Sequence, residues 1–188
     1  TTNKIFIERT ADVGVMPADV AINFGVTGPT LRGSGVDYDL RKTEPYSIYD
    51  KFDFNVPVGE GLMGTVGDCW DRYYVRILEV KESVKILRQA IKSIPSKKED
   101  DLINVIFPKK VKPTKGEIYS RYESARGDVG FYIKSDGKNL PTRVKMRSPA
   151  YCNLSVLNEI SSGWMISDVI TILGSLDIVL GEIDRWLQ

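Results

Sequence analysis

The residues that could do chemistry in this chain are few, and the first constraint is an absence. The 188 residues contain no histidine and only two cysteines, Cys69 and Cys152. Ser-His-Asp and Cys-His nucleophile systems are therefore excluded. Histidine-ligated zinc is excluded too, and two cysteines so far apart in sequence make a poor metal cage. Chemistry must rest on carboxylates, Lys, Arg, Tyr or Cys, or on a partner. Asp177 is the carboxylate in the least expected place, between Leu176 and Ile178 at the end of an apolar run that starts near Trp164. A carboxylate there costs free energy unless it is hydrated, paired or protonated. Two readings stand: a functional acid, or a cap for a helix starting at Ile178.

Gly59-Glu60-Gly61-Leu62-Met63-Gly64 matches G-x-G-x-x-G after an expected strand and before a helix, the context of a dinucleotide site. The helix starts four residues late, and a long helix and linker follow instead of a second parallel strand with an acidic end. A flexible glycine loop is the favoured reading.

The elements that must position these residues read as follows. Asn3 to Arg9 is expected to be the tail of a helix, Ala18 to Phe24 a short helix ended by Gly25, and Lys51 to Val58 a strand. From the N-cap Asp68, apolar residues fall at Trp70, Tyr73, Ile77, Val80, Val84, Leu87, Ile91 and Ile94. Steps of three and four make a heptad stripe, expected to face the core of a bundle over 67–95. Pro95 stops this helix. A charged linker is expected over 96–116 and an antiparallel sheet over 117–148, with Asp136-Gly137 as a hairpin signal. Arg143, Lys145 and Arg147 share one face of the last strand, either half-exposed or in a subunit contact. Arg126-Gly127-Asp128 is expected to be a turn, not an adhesion signal. Helices close the chain over 149–188. The fold class is α+β: a helix bundle around a long heptad-striped helix, with a small antiparallel β-hairpin sheet.

Composition adds bounds. Hydrophobic residues at 42%, charged residues at 27% and a net charge of +1 describe a globular balance without a strong field for nucleic acid or anionic membrane. Two cysteines favour a reducing compartment. Asp168, Gly174 and Asp177 argue against a membrane span over 163–181. The chain does not begin with Met, so it is expected to be a piece of something longer.

Four stretches carry a resemblance: GPTLRGSGVDYDLRKTEPYSIYD, FNVPVG followed by GDCWDRYYVRILEVKES, ARGDVGFYIKSDGKNLPTRVKMRSP, and GSLDIVLGEIDR. Together they resemble the D-type, quinone-site subunit of respiratory complex I, the proton-pumping NADH:quinone oxidoreductase, over its C-terminal half. The glycine loop and the linker depart from that pattern. The resemblance implies a fold like the large subunit of nickel-iron hydrogenases. It sets Val179 and Glu182 where those enzymes have metal-binding cysteines and Arg185 where they have histidine, so no metal is expected. It also implies that Asp177 and Val179 border a quinone headgroup chamber, Asp177 orienting or protonating a group from the missing N-terminal half. Glu182 and Asp184 are expected at the surface or in salt bridges.

By the same resemblance, quinone is the substrate. Electrons come from an iron–sulfur cluster in a neighbouring subunit, and NAD is not bound here. The implied partners are the other subunits of the peripheral arm on the cytoplasmic side of the membrane. The chain alone is expected to be inactive and prone to self-association. Two alternatives remain: an interaction scaffold with no ligand site of its own, and a hydrogenase-like metalloenzyme, which the missing cysteines disfavour.

Overall fold

The computed structural model describes residues 3–94 and 112–184. The expected linker over 96–116 lies mostly outside these residues, and so does Arg185. The first helix, α1 (Lys4–Thr10), begins within the chain, because the Asn3 side chain accepts hydrogen bonds from the N–H groups of Ile5 and Phe6. Its start is capped at Asn3, where a continuing helix tail was expected. Next come α2 (Ala18–Asn23), α3 (Pro29–Gly33) and α4 (Leu40–Thr43). The longest element is α5 (Cys69–Ser93), and the Asp68 carboxylate accepts from the Asp71 N–H as its N-cap.

A three-stranded antiparallel sheet follows, in the order β1 (Gly116–Ser124), β2 (Gly127–Ser135), β3 (Arg143–Arg147). Ser124 pairs with Gly127, so the tight hairpin turn is Ala125-Arg126. Asp136-Gly137 opens the longer loop between β2 and β3. On β3, Arg143 and Lys145 are exposed, while Arg147 reaches inward to the carbonyls of Asp128 and Gly25. The chain then runs through α6 (Pro149–Ser155), α7 (Leu157–Ser161), α8 (Ile166–Leu176) and α9 (Leu180–Ile183). The architecture is α+β.

The core lies where α2, α3, the start of α5, α7 and α8 meet. Met16, Ala21, Val26, Cys69, Val156, Ile172 and Leu176 are fully buried there. Arg9 Nη2 donates to the buried Asp168 carboxylate at 2.9 Å and ties α1 to α8.

Two expectations are overturned. The segment Lys51 to Val58 is not a strand. It contains the end of a 3-10 turn (Tyr49–Lys51) and then extended backbone without a strand partner. Its N–H groups find side-chain acceptors on α5 instead: Asn55 donates to Glu82 and Asp53 to Gln89. Phe54 is buried beneath the Arg41 and Lys42 cations.

The heptad stripe does not face the core of the described residues. Trp70 is buried, but Ile77, Val80, Val84, Leu87, Ile91 and Ile94 are all exposed. The covered face of α5 carries Val75, Glu79, Glu82 and Gln89, which lie within an arc of about 80° at about 100° per residue. The extended segment occupies that face, so the stripe points away from it.

Candidate functional site

Asp177 ends α8 and does not begin the next helix. Its backbone is left-handed, with φ 52° and ψ 53°, and its N–H donates to the Gly174 carbonyl. This is a C-terminal cap, a conformation that aspartate tolerates better than most residues with a Cβ. The helix after it begins at Leu180, with Val179 at its N-cap. The reading of Asp177 as the N-cap of a helix starting at Ile178 is therefore corrected.

Three polar contacts hold this helix end. Thr30 Oγ1 on α3 donates to the Leu176 carbonyl at 3.3 Å. Arg72 Nε donates to Ser175 Oγ at 2.8 Å. Arg126 Nε donates to the Asp177 carbonyl at 3.1 Å. Arg126 is itself fixed by its hairpin turn, which docks on the start of α3. A Cβ on Gly28 would lie 2.5 Å from the Arg126 carbonyl oxygen, and the Asn153 side-chain amide bridges that carbonyl to Thr27. Of the Arg-Gly-Asp tripeptide only Arg126 is thus in the packed turn, pointing at Asp177, while Gly127 and Asp128 begin β2.

The Asp177 carboxylate is half-buried and faces two cations. Arg126 Nη2 lies 3.5 Å from one oxygen and Arg76 Nε 3.7 Å from the other. Arg76 also donates to the Arg72 carbonyl at 2.6 Å and to Thr30 Oγ1 at 3.0 Å. Burial pushes its guanidinium down to about 10, against the pull of Asp177, so it stays charged near neutral pH. Arg76 Nε has no hydrogen-bond partner among the described residues. A buried donor left open costs roughly 1–3 kcal/mol.

Arg76 and Asp177 form the polar end of a cleft of about 340 Å³ between α1, the first turns of α5 and the end of α8. Phe6 and Tyr73, packed edge to face at 4.8 Å, line its apolar side with Thr10, Cys69 and Thr171. Val179 is half-buried, two residues beyond the cleft's lip. Glu182 accepts hydrogen bonds from Ser148 Oγ and the Ala150 N–H at the start of α6, so it serves a helix terminus. Among the described residues, no group of three or more Cys, Asp and Glu is placed to hold a metal ion.

The glycine-rich stretch is not a nucleotide cradle. The Gly61 N–H, which would face a phosphate, donates to the Asp71 carboxylate at 3.0 Å. Burial raises Asp71 and the neighbouring Asp68 above the ordinary carboxylate range. Nor is the loop loose: a Cβ on Gly59 would sit 2.1 Å from the Gly33 carbonyl oxygen, and one on Gly64 2.4 Å from an Asp68 carboxylate oxygen. These glycines serve close packing.

Sequence reasoning missed the arginines. Arg72 is fully buried and donates to the carbonyls of Gly67 and Gly14, to Cys69 Sγ and to Ser175. Arg32, equally buried, meets Glu79 at 2.6 Å, Glu123 at 3.0 Å and Asp39 at 3.6 Å. The usable signal was local. Arg72 and Arg76 are one turn apart at the aromatic start of α5, where Cys69, Trp70, Asp71 and Arg72 are buried on every side of the helix.

The described residues form an α+β chain with a largely apolar cleft whose polar end is Arg76 beside Asp177. The sequence matches the family described as respiratory-chain NADH dehydrogenase, 49 Kd subunit, over residues 1–110 and 101–185. The chain belongs to this family. It is 52% identical over 186 residues to the NADH-quinone oxidoreductase D-type subunit of Chlorobium luteolum, a match covering 98% of this chain and 47% of that protein. For the D-type subunit of Chlorobaculum tepidum the identity is 51% over 188 residues, covering 98% and 46%. For that of Cytophaga hutchinsonii it is 50% over 188 residues, covering 97% and 48%. The chain spans about half the length of the curated relatives it matches. Among the described residues, no helix is long and apolar enough to cross a membrane.

Proposed function

We propose that this chain forms one wall of the quinone headgroup chamber in a membrane-bound NADH:quinone oxidoreductase, on the peripheral arm at the cytoplasmic face. The observation that carries the reading is the cleft with Asp177 and Arg76 at its polar end. Arg76 Nε is a buried cationic donor without a hydrogen-bond acceptor among the described residues, and a quinone carbonyl oxygen is a matching acceptor. The aromatic side at Phe6 and Tyr73 suits a flat ring. Reduction to quinol takes two electrons, supplied by the iron–sulfur cluster of a neighbouring subunit, and two protons. The chain supplies a shaped pocket and charge. Asp177 orients or protonates a group contributed by the remainder of the full-length protein, and Val179 borders the chamber from the next turn.

The relation to nickel-iron hydrogenase large subunits belongs to the same proposal. Val179 and Glu182 stand at the former thiolate positions, and Glu182 is engaged with the start of α6. The test is Asp177→Asn in the assembled complex. The expected result is slower quinone reduction at unchanged assembly; an unchanged rate removes Asp177 from the reaction and leaves the chain as a docking scaffold.

A further inference from the structure

The net charge of +1 hides an uneven distribution. Residues 112–119 and 132–145 make the end of the sheet farthest from the Ala125-Arg126 turn. They hold six cations, Lys112, Lys115, Lys134, Lys138, Arg143 and Lys145, against two carboxylates, Glu117 and Asp136. Both carboxylates are engaged locally. Glu117 meets Lys134 at 2.6 Å, and Asp136 meets Lys138 at 2.9 Å. Lys112, Lys115, Arg143 and Lys145 are exposed, and none has an ion pair among the described residues. The rest of the chain is net acidic.

The strand register gathers these charges. Glu117, Lys134 and Arg143 stand side by side across the three strands, and Tyr119, Tyr132 and Lys145 form a second row on the same face. Between the two rows, on the opposite face, lie Ile118, Ile133 and Val144, all exposed. In the loop over 136–142, Leu140 is 79% exposed and is flanked by Lys138 and Arg143. Two features say what fits this end. Five of its six cations are lysines, compact hydrated charges on flexible stems. Protein interfaces are depleted in lysine and use arginine and aromatic anchors instead. The exposed leucine beside the lysines adds the apolar element that lets a basic surface enter a lipid headgroup layer. A second copy is a poor match, because two such ends repel.

We propose that this end of the sheet docks on an anionic phospholipid surface, with Leu140 entering the headgroup layer. Each lysine or arginine near such a surface adds to the attraction. The nine residues of β2 put about 27 Å between this end and the Arg126 turn, at about 3.4 Å per residue. Docked tip first, the sheet holds the cleft above the lipid and not against it. The proposal goes beyond the quinone reading and does not depend on it.

The test is co-sedimentation of the chain as it stands with vesicles of phosphatidylcholine, alone or with one third phosphatidylglycerol. The chain should bind the anionic vesicles at least tenfold more tightly. That preference should fade as salt rises, because exposed charges are screened. Lys138→Glu with Arg143→Glu should weaken the binding at least tenfold. The same reversal of two exposed cations on α5, Lys81→Glu with Arg88→Glu, should weaken it less than threefold, which separates the local patch from the net charge. Leu140→Ser should weaken it several-fold at every salt concentration. All five side chains are exposed, so the near-UV circular dichroism of the chain should not change. Hydrogen exchange over 136–145 should slow on the anionic vesicles. Equal binding of both kinds of vesicle overturns the proposal, as does equal loss from the two reversed pairs. Binding of polyglutamate as tight as that of the vesicles, and untouched by Leu140→Ser, also overturns it, in favour of an acidic protein surface.

Discussion

Arg126 holds Asp177 at two points: its Nε donates to the Asp177 carbonyl at 3.1 Å, and its Nη2 lies 3.5 Å from the Asp177 carboxylate. The pair joins the β1–β2 hairpin turn to the end of α8, two elements 51 residues apart in sequence. It explains two odd features together. The tripeptide that looks like an adhesion signal is the junction of the hairpin turn with β2, with its arginine aimed from the turn, and the aspartate at the end of an apolar run is a helix terminus held by cations. The same contact fixes one lip of the cleft.

Truncating Arg126 to Ala should cost about 1 kcal/mol of stability, the scale of one charge-assisted hydrogen bond with a half-exposed ion pair. Asp177→Asn should cost less, about 0.5 kcal/mol, because asparagine also accepts the left-handed conformation. Urea denaturation of the two variants checks the order. It also establishes that the Asp177→Asn rate measurement reads the site rather than the fold.

Gly59→Ala and Gly174→Ala should have opposite signs. A Cβ on Gly59 meets the Gly33 carbonyl at 2.1 Å, whereas one on Gly174 meets nothing within 4 Å. Forcing the backbone apart at Gly59 should cost about 3 kcal/mol. Gly174 is inside α8 and has ordinary helical freedom, so alanine there should stabilise by about 0.5 kcal/mol. Gly174 also lines the cleft. Gly174→Ala should therefore raise the thermal midpoint while weakening quinone reduction in the assembled complex, a split that a merely structural glycine would not give.

How much could be read beforehand follows from what periodicity encodes. The Asp68 cap and the antiparallel sheet were legible because each is a local signal. Asp68 satisfies an N–H three residues on, and alternation sets the faces of a strand. The orientation of α5 was not legible. A heptad stripe says that something apolar will cover Ile77 to Ile94, not that the cover lies within this chain. The face that does pack is polar because Glu82 and Gln89 replace a neighbouring strand as acceptors for residues 53 and 55. Segment Lys51 to Val58 alternates like a strand for the same reason: it is extended against a helix. Asp177 was legible as an exception but not as a C-cap held by cations, since Arg126 and Arg76 come from distant elements that no local pattern places beside it.

The buried charge cluster around Arg32 should give the protein an acid-sensitive component. Burial alone would raise the Asp39 carboxyl, but the Arg41 hydrogen bonds and the charges of Arg32 and Arg41 outweigh it and hold the group below its ordinary value of 3.8. A depressed folded value means that the unfolded chain binds the proton first. The stabilisation is therefore present above about pH 3.8 and lost as pH falls through the folded value. Asp68, Asp71 and Glu123, raised by burial, act in the opposite sense, and their ionisation weakens the fold as pH rises above the ordinary range. Asp39→Asn should cost about 3 kcal/mol at pH 7, as for breaking one member of a buried ionic cluster. That deficit should shrink below about pH 3.8. Denaturation midpoints at pH 7 and pH 3 measure it, and a deficit independent of pH would remove Asp39 from the titration.

Arg72 should be the least replaceable side chain near the cleft. It is fully buried and gathers four acceptors from three separate parts of the chain: Gly14 O, Gly67 O, Cys69 Sγ and Ser175 Oγ. Burial lowers its guanidinium from the usual arginine value, with the neighbouring Cys69, Asp68 and Asp71 pulling the other way. Truncation removes the Gly14 carbonyl's side-chain donor, although the Met16 N–H still meets the Gly67 carbonyl, and opens a cavity at the centre of the helix junction. Arg72→Ala should therefore cost roughly 3–5 kcal/mol. Arg72→Lys should recover little, because one ammonium cannot span a fork-shaped set of acceptors. Arg72→Met fills most of the volume without a charge and should be the mildest of the three. Thermal denaturation of the set decides between packing and polar satisfaction. If Met restores most of the loss, volume dominates; if Met and Ala are equally damaging, the hydrogen bonds at Gly14, Gly67 and Ser175 hold the α5–α8 junction together.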